Sequence, residues 1–213
     1  MQADYELCPL CCSESKFFAK TRKRSYFQCK LCSAVFMQAS DHLSIDAEKK
    51  RYLSHNNDVE DKKYQDFVSP LVNSIRGHFS RESVGLDFGA GTGPVSTKLL
   101  EDNGYNVNKY DPFFWKEEGV LKLSYDFIFA CEVIEHFRMP KSEFKLMRSL
   151  LKKDGILFCM SSIYSESIDF ENWYYKNDPT HVFFYHKKTL DWIRENFHFR
   201  EVLIQDNLIR FIT

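Results

Sequence analysis

Two pairs of thiols, a run of glycines behind an aspartate, and a Glu-Glu-His group have types and spacings that could do chemistry. Cys8-Pro9-Leu10-Cys11 and Cys29-Lys30-Leu31-Cys32 are Cys-x-x-Cys knuckles separated by a basic, aromatic loop. Thiolates on two such knuckles can converge on a closed tetrahedral site, the arrangement of structural zinc. Cys12 follows the first knuckle, often a glycine position, and is a competing ligand. A zinc ribbon can bind nucleic acid, recruit a protein or only stabilise a small lobe, and all three stay open here. The second group is Asp87-Phe88-Gly89-Ala90-Gly91-Thr92-Gly93. Glycines let the backbone pass close to a ligand, and a helix start supplies N–H groups to it. The third is Cys131-Glu132-Val133-Ile134-Glu135-His136. If helical, it puts Glu132, Glu135 and His136 on one face, a plausible half-site for a divalent metal.

The elements that position these groups follow from the apolar pattern. The region 1–40 holds five of the cysteines and short apolar runs that read as strands around a metal site. The polar stretch 41–80 carries Tyr64, Phe67, Val68, Leu71, Val72 and Ile75 at three- and four-residue spacing, which predicts a helical linker or cap. In 81–213 strands and helices alternate: Val84–Phe88, a helix over 94–102, Asn106–Tyr110, Tyr125–Cys131, a helix over 141–152, a strand over 155–160, a helix over 189–197, and two strands in the tail. That alternation predicts an α/β fold, Rossmann-like, with a mostly parallel sheet and helices on both faces. The glycine loop then ends the first strand, and the Glu-Glu-His group ends a central strand where open sheets bind ligands. Cys131 and Cys159 lie in apolar runs and read as small hydrophobes. Trp173-Tyr174-Tyr175 and Phe113-Phe114-Trp115 either wall a pocket or anchor their loops.

Composition narrows the function. The chain has 213 residues, 44% hydrophobic, with a formal charge of −1. No global positive field is available to hold nucleic acid, so nucleic acid is a disfavoured partner. Lys16, Lys20, Arg22, Lys23, Arg24 and Lys30 still make one segment basic. No segment approaches the ~20 apolar residues of a membrane span. The first residues are acidic where a secretory signal is basic, which places the protein in the cytoplasm and makes the cysteine pairs metal candidates. The oligomeric state is not legible.

The pattern D-x-G-x-G-x-G, with Pro94 where a dinucleotide fingerprint wants its third glycine, resembles the first motif of class I S-adenosylmethionine methyltransferases. The resemblance implies that Asp87 lies near the methionine part of the cofactor. It implies that Asp111, ending the second strand, accepts hydrogen bonds from both ribose hydroxyls. Phe88, Gly89, Ala90, Gly91, Gly93, Pro112 and Cys131 are then cofactor-lining. Helices before the first strand lie over the cofactor in that family, which implicates His55 or Asn57 in reaching the cofactor carboxylate or the substrate. Glu-x-x-Glu-His resembles the O-methyltransferases of ubiquinone biosynthesis and the 2′-O-methyltransferases of small RNA, both associated with a catalytic divalent metal. His181, in Asp178-Pro179-Thr180-His181-Val182-Phe183, matches a further histidine of the latter group. The implied site is Mg²⁺ or Mn²⁺ on Glu132, Glu135, His136 and His181. A histidine base without metal and a structural role both remain open. The Asn/Asp-Pro-Pro-aromatic motif of base amino-methylation is missing, so an oxygen or carbon acceptor on a small molecule is expected. RNA 2′-O-methylation and a non-catalytic adaptor that binds the cofactor are the alternatives. The overall layout also resembles bacterial methyltransferases with an N-terminal zinc knuckle. The stretch between Asp111 and Tyr125 is short for a strand–helix unit, which implies a reduced third strand and adenine pocket.

Overall fold

The computed structural model describes residues 5–21, 23–54 and 58–213. His55 and Asn57 lie outside the described residues. In chain order the elements begin with β1 (Tyr5–Leu7), β2 (Glu14–Lys20), β3 (Ser25–Cys29), β4 (Val35–Met37), α1 (Ile45–Leu53) and α2 (Lys62–His78). Then come β5 (Val84–Phe88), α3 (Val95–Asp102), β6 (Asn106–Tyr110), β7 (Tyr125–Cys131), α4 (Pro140–Leu150) and β8 (Leu151–Met160). The chain closes with β9 (Phe183–Phe184), α5 (Lys187–Asn196), β10 (Glu201–Gln205) and β11 (Leu208–Ile212).

The larger sheet runs β10-β11-β8-β7-β5-β6 and is mixed: β6, β5, β7 and β8 are parallel, and the β10–β11 hairpin is added antiparallel to β8. Its two faces follow from alternation along buried strands. Phe127 and Phe129 of β7, with Ile156, Phe158 and Met160 of β8, pack under Leu71, Val72 and Ile75 of α2 and Leu100 of α3. Ile128 and Ala130, with Leu157 and Cys159, face Phe144 and Met147 of α4 and Leu190 and Ile193 of α5. The helix α2 continues through Pro70, which cannot donate to the Asp66 carbonyl; the Ser69 hydroxyl donates to that carbonyl instead, at 2.8 Å. Between Asp111 and Tyr125 the described chain makes only a short 3-10 turn, Glu118–Lys122, and β6 is left as the sheet edge.

Two expectations change in detail. Strand β8 begins at Leu151, four residues before the expected start, because Leu151 pairs with Tyr125 across a register shift while Lys152, Lys153 and Asp154 stay exposed. Tyr64 and Phe67 share the helical period of α2 but line the large cavity instead of entering the core.

The smaller sheet is antiparallel, β1-β2-β3-β4-β9. Its last strand comes from the far end of the chain, with Phe183 paired to Phe36 and Phe184 to Val35. The Thr189 hydroxyl of α5 donates to the Cys32 carbonyl at 2.8 Å, a second tie to the N-terminal lobe. Among the described residues no helix is long and apolar enough to cross a membrane.

Candidate functional site

The parallel strands β5, β6 and β7 end at a cavity of about 910 Å³, within the ordinary range for small-molecule sites. Its floor is the glycine loop. Gly89 has φ of 92° and Gly91 of 60°, conformations that side chains disfavour. A Cβ on Gly89 would also stand 2.5 Å from Val133 Cγ1. The Gly89 and Ala90 amides donate to the Tyr110 carbonyl at 2.8 and 3.1 Å, which docks the loop on the end of β6.

Two buried carboxylates frame this loop. Asp111 Oδ2 accepts from the Gly91 amide at 3.0 Å, and Oδ1 accepts from the Phe113 and Phe114 amides at 2.7 and 3.0 Å. Three of its roughly four acceptor positions are thus taken by backbone, so about one is left for a ligand hydroxyl, not the two that the resemblance implies. Asp87 accepts from the Thr97 hydroxyl at 2.6 Å, and burial pushes its carboxyl up to about 7. Phe88, Gly93, Pro112 and Cys131 line the same cavity. Burial raises the Cys131 thiol well above its usual range, which makes it a poor nucleophile.

At the end of β7 the chain does not continue as an α-helix. Glu132 takes φ of 52°, and only Ile134–His136 makes a 3-10 turn. The expected shared helical face is therefore replaced by tertiary convergence. Ligand atoms of Glu135, His136 and His181 lie within 4.8 Å of one another. His136 Nδ1 is 3.0 Å from the Thr180 carbonyl and His181 Nδ1 is 2.6 Å from the Tyr175 carbonyl. Carbonyls only accept, so both rings carry a proton on Nδ1, and in its neutral form each imidazole has its lone pair on Nε2, the tautomer of a metal ligand or base. Burial lowers His181, which favours its neutral form. Glu135 is fully buried and accepts from the Tyr175 hydroxyl at 2.6 Å and the Ser161 hydroxyl at 3.0 Å. Glu132 stands apart from the cluster of three, 3.3 Å from the same Tyr175 hydroxyl. Burial and then the charge of Glu135 push Glu132 up to about 8, and burial raises Glu135. A divalent cation nearby would favour both ionised forms.

Two ion pairs hold the rest of the wall. Arg51 of α1 donates through Nε and Nη2 to Asp178 Oδ2, at 3.2 and 2.7 Å, and Arg138 pairs with Glu48 of α1. Between them Tyr52 packs edge-on against His136, 5.4 Å between centroids, and tilts against Phe113 at 5.8 Å. Phe113 and Phe114 thus wall the cavity. Trp173 and Tyr175 instead anchor their loop on Phe184, although the Tyr175 hydroxyl serves the acid pair. The sequence names Tyr175 only as a pocket wall or loop anchor and does not point to Ser161, Arg51 or Arg138, since their partners are distant in sequence.

The four knuckle cysteines also meet, with Sγ separations of 3.7 Å for Cys8–Cys32, 3.3 Å for Cys11–Cys29 and 3.7 Å for Cys11–Cys32. Cys12 and Ser33, each following a knuckle, both have φ of 61°. Cys12 does not compete as a ligand: it is exposed, and Lys141 Nζ lies 3.6 Å from its Sγ. Four soft thiols on matched turns fit zinc.

Residues 60–203 match the model of a family described as Methyltransferase domain. No curated protein matches the chain by sequence. Solved structures with a similar fold include an O-methyltransferase family protein from Burkholderia thailandensis, with a TM-score of 0.52 and 11% identity over 78% of this chain and 61% of that one. Human N-acetylserotonin methyltransferase, in complex with SAM, gives 0.53 and 14% over 70% of this chain and 53% of that one. A SAM-dependent methyltransferase from Archaeoglobus fulgidus gives 0.50 and 21% over 74% and 75%. The chain spans less than two thirds of the length of the first two.

Proposed function

The chain belongs to the methyltransferase domain family, and on that premise we propose that it transfers the methyl group of S-adenosylmethionine to an oxygen, or alternatively a carbon, of a small-molecule acceptor, with a divalent cation assisting. The observation that carries the acceptor side is the meeting of Glu135, His136 and His181 beside the glycine loop. The glycine loop, Asp87 and Asp111 are the proposed cofactor cradle. S-adenosylmethionine supplies an already reactive sulfonium methyl, so the protein's work is to align the acceptor and manage its proton. A divalent cation on the cluster, when bound, supplies Lewis acidity that eases ionisation of an acceptor hydroxyl.

The chain's own residues do the positioning. Tyr175 and Ser161 fix the rotamer of Glu135, and the Thr180 and Tyr175 carbonyls aim the two imidazoles. Tyr52, Tyr64, Phe67 and Phe113 give the cavity aromatic walls suited to a flat acceptor. Cys8, Cys11, Cys29 and Cys32 are proposed as a closed structural zinc site.

The acceptor class is tested by methyl transfer from isotopically labelled cofactor to phenols and catechols, to amines, and to short RNA. The expected result is transfer to hydroxyl acceptors that falls at least about tenfold with EDTA and returns with Mg²⁺ or Mn²⁺. Transfer to amines alone, or transfer indifferent to EDTA, counts against it; RNA as the preferred acceptor would replace the small molecule.

The cradle also predicts a pH dependence. Asp87 at about 7 is half protonated near neutrality, and the cofactor's ammonium favours its ionised form. Binding therefore expels a proton at low pH. S-adenosylhomocysteine affinity should fall by up to about tenfold per unit below about pH 7 and level off above it. Calorimetric titration across that range, with Asp87→Asn losing the slope, checks this; the same slope in Asp87→Asn assigns it elsewhere.

A further inference from the structure

A second cavity, of about 510 Å³, lies between the β2–β3 turn and residues 170–177. Lys20, Lys23 and Arg24 line it from the N-terminal lobe, and Lys176 lines it from the methyltransferase core. Lys176 is only 5% exposed, and its Nζ is 3.3 Å from the neutral Asn177 Oδ1. Arg24 Nη1 donates to the Lys176 backbone carbonyl at 3.1 Å, which closes the lobe onto the core at this point.

Convergence of charge sets this cavity apart: three lysines and an arginine line one concave site. Among the described residues, Lys20, Lys23, Arg24 and Lys176 form no ion pair, and Glu171 on the rim is the one acid among the lining residues. Four cations against one lining carboxylate repel one another, and the buried Lys176 ammonium has an amide as its hydrogen-bond partner and the Asp169 carboxylate as a neighbouring charge. A multivalent anion offsets the repulsion. Cations converging from two parts of the chain suit a tetrahedral group with several acceptor oxygens better than a planar carboxylate.

We propose that this cavity binds a phosphate group, carried either by a small phosphorylated molecule or by a polynucleotide backbone. The site is distinct from the proposed methyl-transfer cavity, and the proposal does not depend on that reading.

Calorimetric titration of the full chain with inorganic pyrophosphate, at fixed ionic strength against a chloride control, tests it. Binding is expected to weaken at least tenfold in the double variant Lys20→Glu, Lys23→Glu, whose exposed positions leave the fold intact, and in Lys176→Gln. S-adenosylhomocysteine affinity should stay unchanged in the double variant. Ribose 5-phosphate and a short single-stranded RNA distinguish the sources: charge-reversal-sensitive binding of either one identifies the carrier and supports the site. No phosphate binding above the chloride control, or pyrophosphate binding unchanged in the double variant, overturns the proposal.

Discussion

Replacing Cys29 with serine is expected to remove the proposed zinc ion and to lower the melting temperature by roughly 10 °C or more. Cys29 ends β3, is 2% exposed, and has its Sγ 3.3 Å from that of Cys11. A serine oxygen is a hard, weakly acidic donor and does not replace a buried thiolate. A structural zinc ion contributes on the order of 10 kcal/mol to folding of the lobe that holds it. The loss should not stay local. Phe36 of β4 pairs with Phe183, the Met37 amide donates to the Val182 carbonyl at 2.8 Å, and the Val182 amide donates to the Glu135 carbonyl at 2.9 Å. His181 stands next to that hinge, so a loosened lobe should also blunt cation binding at Glu135, His136 and His181. Metal content by atomic absorption and thermal unfolding read the effect, with Cys12→Ser as a neutral control. Zinc-free protein with an unchanged melting temperature would remove the metal from the account.

His181→Ala should abolish divalent-cation binding at the second site, with Mn²⁺ affinity falling at least a hundredfold by electron paramagnetic resonance titration. One of the three side chains proposed to hold the cation is removed outright. Tyr175→Phe is the finer test: it deletes the hydroxyl that bridges Glu135 and Glu132 but keeps the ring that packs on Phe184. Losing a partner that orients a ligand should weaken Mn²⁺ about tenfold. Because the readout is metal binding, it holds whatever the acceptor proves to be. Equal Mn²⁺ affinity in wild type and His181→Ala would leave the two histidines as bases or as structural groups.

The conformation of the glycine loop was legible because its determinants are local. Asp87, the three glycines and the helix after Pro94 lie within one short stretch, and backbone conformation there follows from residue type. The apolar runs of β7 and β8 likewise declared buried strands, and the split of each run between two helical layers follows from alternation. What failed was local inference across a turn. Glu132, Glu135 and His136 have helical spacing, yet Glu132 adopts a left-handed conformation, and His181 reaches the cluster through tertiary structure. Tyr64 and Phe67 share the period of the core positions of α2, and period alone cannot tell a core from a cavity wall. Phe183-Phe184 is too short to announce a strand, and its partners Val35 and Phe36 are some 150 residues away. The pairings Arg51–Asp178 and Arg138–Glu48 are equally non-local. Such contacts depend on the assembled fold, and no window of sequence contains them.

Binding of S-adenosylhomocysteine to the wild-type chain and to Asp111→Ala, measured by calorimetry with circular dichroism confirming the fold, tests the central claim most directly. Asp111 ties the glycine loop to the loop after β6 through three backbone amides and offers its remaining acceptor position to the cavity. Micromolar binding to the wild type, weakened tenfold to a hundredfold in Asp111→Ala, is the predicted result, since a charged hydrogen bond and the loop's anchor are lost together. No binding to the wild type, or equal binding to a folded Asp111→Ala, would contradict it.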